Sequence, residues 1–418
     1  MAKKGKGNKN VTEPIEALAK RPSKKEKEPA FNLRKELEQQ AASLEKQFKR
    51  PVLLTASRMS NVYQLRRPTG ILSLDRAIGG GFPAGGLSQL IGRESTGKSY
   101  IANRVMANVQ TSYGNQAAIA ICMTEMKFDK NFAKWKCGLD IAFAPDEIDL
   151  GEQSLGRPYT PEEREKLESQ TGYIYMPDVT VAEQVLEIAA QLVESGLYQI
   201  VFVDSMGSLL TKAEEEADHG IIDKHYGGAA MVITAFMHRV HSALCSTVRG
   251  RPNTTTLLVI NQARDVIGNQ YGPQGIKIGG GNALKHGKLT DVLLSSLGFI
   301  TIDQGERKPK LPIGKEVGFD IIKGKAGCHD GVRGSYNYYY GEHGYGFGVD
   351  IYGDLLNCSV MAGLVEQSGA WFSCEGKNLG QGKEAAAIAL FEDPALAERL
   401  RTAVLAKDGI SFVTRENW

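Results

Sequence analysis

The sequence predicts an α/β fold built on a mostly parallel central sheet, on three observations. A short buried-strand pattern stands at 87–91 and apolar runs recur at 117–123, 199–205 and 257–262, with polar side chains at the ends of these three: Glu125, Asp204 and Gln262. Segments with helical periodicity, 181–195 and 229–247, lie between such runs. A glycine-rich turn joins the 87–91 stretch to a further helical segment, in which Ile101, Val105 and Val109 recur at every fourth position. Runs that are apolar throughout suit strands covered on both faces. Strands alternating with helices argue for parallel pairing. Ligands of such sheets collect at the carboxyl ends of the strands, where Glu125, Asp204 and Gln262 fall.

The elements before this core differ in character. Residues 1–30 are rich in Lys, Gly, Asn and Glu and hold few large apolar side chains, so they are expected to form a mobile basic arm. Residues 1–29 carry nine Lys/Arg against four Glu, a balance of +5; the whole chain has net charge +2, which leaves −3 for the rest. The total therefore does not mark a polyanion binder, although the arm could act as a tether or as a solubilising tail. Within 31–66, Leu33, Leu37, Ala41, Leu44 and Phe48 define a helical stripe closed by Pro51, and 52–55 is a short strand candidate.

Residues 67–340 form the predicted core. The polar stretch 145–172 interrupts its rhythm and reads as a surface insertion without chemistry of its own. In it, Thr160-Pro161-Glu162-Glu163 has the form of a capping box with Pro in the first turn. After Thr290 the strands read as antiparallel, at 291–302 and 316–322. The segment 341–418 is predicted as a small α+β domain ending in one helix from about Lys383, with Ala395, Glu398, Arg399 and Val404 near its end. At 418 residues and 42% hydrophobic content, the chain can bury a sizeable core. No apolar run approaches the roughly 18–20 residues of a membrane span. The six cysteines form no C-x-x-C pair, so they read as buried thiols rather than a metal site. A cytoplasmic protein with no membrane partner is expected.

The turn is the most specific local signal. Gly92-Arg93-Glu94-Ser95-Thr96-Gly97-Lys98-Ser99 matches G-x-x-x-x-G-K-[ST], the phosphate-binding loop. Its glycines let backbone N–H groups close around an anion at a helix N-terminus. Lys98 is placed to reach the β- and γ-phosphates and Ser99 to bind Mg²⁺, so ATP and Mg²⁺ are the expected ligands. Asp204, after its apolar run, has the form of the acidic residue that holds Mg²⁺ through a water. Glu125 is a candidate base for an attacking water.

With these motifs the chain resembles the RecA-type recombinases, bacterial or phage-encoded, from about Phe31 to about Lys407. Leu44-Glu45-Lys46-Gln47-Phe48 resembles the family's oligomerisation helix. Thr69-Gly70, Leu72-Ser73-Leu74-Asp75, Gly81, Pro83 and Gly85 match the lead-in to its phosphate loop. Val203-Asp204-Ser205 with Lys212-Ala213-Glu214 matches its second nucleotide motif. Ile260-Asn261-Gln262, Arg264, Ile267-Gly268 and Gly280-Gly281-Asn282-Ala283-Leu284-Lys285 match its DNA-binding signature. Tyr352-Gly353, Gly369-Ala370-Trp371 and Gly380-Gln381-Gly382-Lys383 match its C-terminal domain.

The resemblance implies a RecA-like phosphate-loop NTPase core with an N-terminal oligomerisation helix and a small C-terminal α+β domain. It implies a DNA-dependent ATPase that forms helical filaments on single-stranded DNA and pairs it with homologous double-stranded DNA. At matching positions Glu125 would activate water, Gln262 would sense the γ-phosphate, and Asp129 and Phe132 would contact the adenine. Tyr100, next to the loop, joins the nucleotide contacts. Lys323 and Lys325 would reach the ATP of the adjacent subunit. DNA would meet Lys224, His225 and Tyr226 in a first loop. In a second it would meet Arg264, Ile267, Gly268 and Lys277, followed by Gly280, Gly281, Asn282 and Lys285.

Some positions depart from the family pattern. Met231, Val266, Gly318, Asp320 and Gln367 stand where basic residues are usual, Lys383 is kept, and an acidic C-terminal tail is missing. Two other readings share the core: a replicative-type helicase motor, which leaves the 280–285 signature without an account, and an ATP-switched scaffold that coats DNA without turnover, against which Glu125 argues.

Overall fold

The computed structural model describes residues 32–49, 64–124, 128–179, 181–206, 228–265, 276–278, 287–304, 309–341, 346–411 and 413–415. They fall into two units, Met1–Ser60 and Asn61–Trp418. The first holds helix α1 (Leu33–Phe48). Its N-cap is Asn32, whose side chain accepts the Lys35 N–H at 3.2 Å, and it ends at Lys49 in the left-handed conformation. Leu33, Leu37 and Phe48 of the predicted stripe are exposed. The strand candidate 52–55 lies outside the described residues.

The second unit opens with β1 (Arg66–Arg67), α2 (Leu72–Ala77) and β2 (Phe82–Pro83), then β3 (Gly86–Gly92), α3 (Lys98–Tyr113) and β4 (Ala118–Met123). The insertion supplies α4 (Pro145–Leu155) and α5 (Pro161–Glu168), followed by β5 (Tyr173–Tyr175). The predicted capping box forms on α5. Thr160 Oγ1 accepts the Glu163 N–H at 3.2 Å, and the Glu163 carboxylate accepts the Thr160 N–H at 2.8 Å. Next come α6 (Ala182–Ser195), β6 (Ile200–Asp204), α7 (Gly228–Leu244), the hairpin of β7 (Thr247–Val248) and β8 (Arg251–Pro252), β9 (Thr256–Asp265) and β10 (Ile276–Ile278). Long strands β11 (Lys288–Ile302) and β12 (Leu311–Gly324) precede β13 (Arg333–Tyr340) and β14 (Phe347–Val349).

These strands build one sheet in the order β14-β13-β12-β11-β3-β9-β6-β4-β5, with β10 paired to β9. The pairs β11–β3, β3–β9, β9–β6, β6–β4 and β4–β5 are parallel. Alternate side chains of the central strands enter two cores. Ile119, Ile121, Leu258 and Ile260 pack with Ile101, Val105 and Val109 of α3, while Ala120, Cys122, Leu257 and Val259 pack with α6 and α7. Helices on both faces are why β4 and the first part of β6 and β9 are apolar on both sides.

The expectation of antiparallel strands after Thr290 needs correction for β11. It pairs antiparallel with β12 but parallel with β3, from Lys288–Leu87 to Leu294–Gly92. Its first half completes the parallel core; its second half runs on past the end of β3.

The C-terminal part contains α8 (Ile351–Met361), a three-stranded sheet of β15 (Glu366–Ser368), β16 (Trp371–Cys374) and β17 (Lys377–Gln381), then α9 (Lys383–Glu392) and α10 (Pro394–Lys407). The single helix expected from Lys383 is thus two. Asp393 caps the second by accepting the Leu396 N–H at 3.0 Å. Pro394 at its first position has no N–H with which to continue the first. Chain ends of this unit meet where Arg66 N–H donates to the Val413 carbonyl at 2.8 Å.

The lead-in motif before the loop is structural. Buried Asp75 accepts the Thr69 N–H at 2.7 Å, the Thr69 hydroxyl at 2.8 Å and the Gly70 N–H at 3.1 Å, fixing the turn that precedes α2. Arg401 of α10 stands 3.7 Å away. Nearby, Asp354 of α8 accepts the Ser73 N–H at 3.0 Å. Burial pushes its pKa up to about 6; the Ser73 hydrogen bonds oppose that shift and the like charge of Asp75 adds to it. A carboxyl raised in the folded state contributes stability that is complete below its unfolded pKa and lost as pH rises through the folded one. That window runs from about 3.8 to about 6. Asp354→Asn keeps an acceptor without the charge, so it should stabilise the protein by about 1–2 kcal/mol at pH 7.5. The advantage over wild type should shrink toward pH 5 in calorimetric melts. An advantage equal at both pH values would contradict this account.

Candidate active site

The loop rises from the end of β3 and closes on α3. Gly92 has no room for a side chain, since a Cβ there would lie 2.6 Å from Thr96 Oγ1 and 2.9 Å from the Leu294 carbonyl oxygen. Gly97, at φ +91°, takes the left-handed conformation that starts α3. Thr96 Oγ1 donates to the Arg93 carbonyl at 2.8 Å and ties the loop across itself. The buried Lys98 ammonium donates to the Gly92 and Arg93 carbonyls at 3.0 and 2.6 Å, so it is folded back into the loop. Arg93, Glu94, Ser95 and Ser99 are exposed. A loop bounded by two glycines, with open space where a Gly97 Cβ would point, a helix N-terminus and a buried ammonium fit a phosphate chain.

The strand ends assemble around this loop. Gly92 is in register with Gln262 of β9, which is half-buried. Asp204, also half-buried, closes β6 in register with Met123 of β4. Thr124 locks these two ends together. Its N–H donates to the Asp204 carbonyl at 2.8 Å, and its hydroxyl donates to the Ser205 carbonyl at 2.7 Å and accepts the Ser205 N–H at 2.9 Å. Glu125 follows directly in the sequence and lies outside the described residues.

Beside the loop stands an aromatic wall. Tyr100 meets Tyr338 edge-on at 5.1 Å between ring centroids and Phe347 at 6.3 Å, and Phe132 meets Phe347 at 6.0 Å. Burial raises the pKa of Tyr100, with the Val349 N–H bond and Arg104 opposing. Asp129 is exposed and accepts the Phe132 N–H at 2.9 Å, so it also caps the turn that carries Phe132. Asp129 lines a cavity of about 670 Å³ with Trp135, Phe143, Glu147 and Tyr159, which puts the insertion helices next to the expected adenine contacts. Tyr338, Phe347 and Thr124 were not singled out from the sequence. The Gly- and Tyr-rich composition after Gly341 was the available signal for Phe347.

Lys323 and Lys325 lie elsewhere on the sheet. Lys323 pairs across strands with Asp291, which is level with Gln89 at the middle of β3, short of the end from which the loop leaves. Lys323 is half-buried and Lys325 exposed. Burial lowers the Lys323 pKa, Asp291 opposes that, and Lys325 and Lys288 add to it.

For the DNA-side residues, Arg264 of β9 is in register with Lys277 of β10, forming the stem of a hairpin. Lys224, His225, Tyr226, Ile267, Gly268, Gly280, Gly281, Asn282 and Lys285 lie outside the described residues, as does Val266. Met231 is exposed. Asp320 pairs with Arg333 at 2.8 Å. Gln367 and Lys383 line a cleft of about 860 Å³ with His329 and Arg333.

Five cysteines are buried and Cys245 is exposed. No metal-holding cluster occurs, and no helix is long and apolar enough to cross a membrane, among the described residues.

A two-faced, mostly parallel sheet with this loop at the carboxyl end of a central strand defines a phosphate-loop NTPase fold. Residues 35–158 and 159–327 match the RecA N-terminal domain family, and residues 353–409 match the RecA C-terminal domain. The chain is 31% identical over 383 residues to Protein RecA of Thermus aquaticus, covering 90% of this chain and 95% of that one. It is 32% identical over 379 residues to Protein RecA of Bdellovibrio bacteriovorus, covering 90% and 86% respectively. The chain belongs to the RecA family and is a RecA-type recombinase.

Proposed function

We propose that the chain is a DNA-dependent ATPase that polymerises on single-stranded DNA and pairs it with homologous duplex. The observation that best supports this reading is the separation of its cations. Lys98 serves the loop at the carboxyl end of β3, while Lys323 is level with the middle of that strand and Lys325 lies further from the loop, where they suit the nucleotide of an adjacent subunit. A site completed by two subunits links ATP binding to assembly, because the nucleotide's charge binds both.

In the reaction, loop amides and Lys98 hold the β- and γ-phosphates. Ser99, and Asp204 through a water, would hold Mg²⁺, which would supply positive charge beside the phosphates. Glu125 takes a proton from water as its oxygen attacks the γ-phosphorus; the bond to the β–γ bridging oxygen breaks, and ADP and phosphate leave. Gln262 senses the γ-phosphate. It shares β9 with Arg264, two residues on, at the stem of the DNA-facing hairpin, so one strand links the phosphate to the DNA loop.

Electron microscopy with single-stranded DNA tests this. A non-hydrolysable ATP analogue should give regular helical filaments, and ADP should give none or short ones. Equal assembly with ADP, or no assembly with the analogue, would refute the reading.

A further inference from the structure

Lys315 of β12 stands against the phosphate loop. Strand β11 continues beyond its Leu294–Gly92 pair to Phe299, which is in register with Lys315, so β11 and β12 overhang the end of β3 where the loop begins. From that overhang the Lys315 ammonium donates to the carbonyl of Ser95, within the loop. It also lies 5.6 Å from the centroid of Tyr338, its cross-strand neighbour and a member of the aromatic wall. The side chain is buried, and it pairs with no carboxylate among the described residues. Burial lowers its pKa, with no charged partner opposing. A buried ammonium held by one carbonyl and a ring face is poorly compensated. An arriving anion would compensate it. Lys98 is held on loop carbonyls in the same way.

We infer that Lys315 is a nucleotide-binding residue of its own subunit's site, where its ammonium meets the phosphate chain between the loop and the aromatic wall. The inference rests on the nucleotide-site reading above and adds a cation to it. Because this place lies between base and terminal phosphates, Lys315 acts on ADP and ATP alike. Lys323 and Lys325 belong to a different nucleotide.

The test is equilibrium binding of fluorescent ADP and of a fluorescent non-hydrolysable ATP analogue to the full-length protein, without DNA. Lys315→Met should weaken both by about tenfold, the loss expected for one charge-assisted contact. Lys315→Arg should restore most of the affinity. Lys315→Gln, which can still donate to the Ser95 carbonyl, should stay as weak as Lys315→Met. Wild-type affinity in Lys315→Met or in Lys315→Gln would overturn the inference, the latter by showing that the residue only props the loop. An Arg variant as weak as the Gln variant would overturn it too. Lys98→Ala separates the two levels: if it binds both nucleotides like wild type, the site reading itself fails. If it loses binding while Lys315→Met does not, this inference alone fails.

Discussion

Lys98→Ala should abolish nucleotide-dependent filament formation and weaken ATP binding on the order of 10²-fold or more, because removing a buried, hydrogen-bonded charge from its partner costs several kcal/mol. The ammonium is already desolvated and sits between the Gly92 and Arg93 carbonyls. Lys98 belongs to the first turn of α3, which buries Tyr100, Ile101 and Ala102 in the core, and truncation at Cβ leaves that packing intact. The variant should therefore melt like wild type. Filaments of wild-type abundance at the same ATP concentration, counted by electron microscopy, would remove Lys98 from the site.

Glu125→Gln should separate binding from turnover. Glutamine keeps the length and hydrogen-bonding capacity of the side chain but cannot take a proton from water. Loss of a general base lowers turnover by about 10²–10⁴-fold. DNA binding with ATP should persist, since Lys98, Ser99 and Asp204 are untouched. Single-turnover hydrolysis measured beside filament assembly reads both. Hydrolysis near the wild-type rate would give Glu125 a structural role instead. The isosteric change is preferable to alanine because it removes the proton acceptor without removing the side chain.

The parallel strands β4, β6 and β9 were legible because their apolar runs continue on both faces, a pattern that needs no knowledge of neighbours. The pairing of β11 was not, since one strand serves two partners of opposite direction and its exposed second half, with Leu297 and Phe299 in solvent, resembles an ordinary antiparallel edge. Tyr173–Tyr175 escaped because three half-exposed residues give no period. The break at Asp393-Pro394 was written in the sequence as a cap followed by a helix-starting proline, and the run of alanines around it concealed the boundary. At the site, the loop was legible because its chemistry is contiguous. Lys315 was not, because 220 positions separate it from Ser95 and only strand pairing brings them together.

Strand β12 carries Lys315 near its beginning and Lys323 near its end, within fourteen residues of continuous extended chain. Hydrogen bonding to β11 and β13 holds it on both edges over its middle, and a strand so held cannot creep: register changes in whole residues, each of which turns the buried side chains outward. If Lys315 serves the subunit's own nucleotide and Lys323 its neighbour's, as proposed, the strand would act as a stiff rod between consecutive ATP molecules. A tilt imposed at one end is delivered to the other with little loss. Hydrolysis would then travel from subunit to subunit in sequence, and a filament doped with Lys315 variants should show turnover falling faster than the fraction of variant subunits.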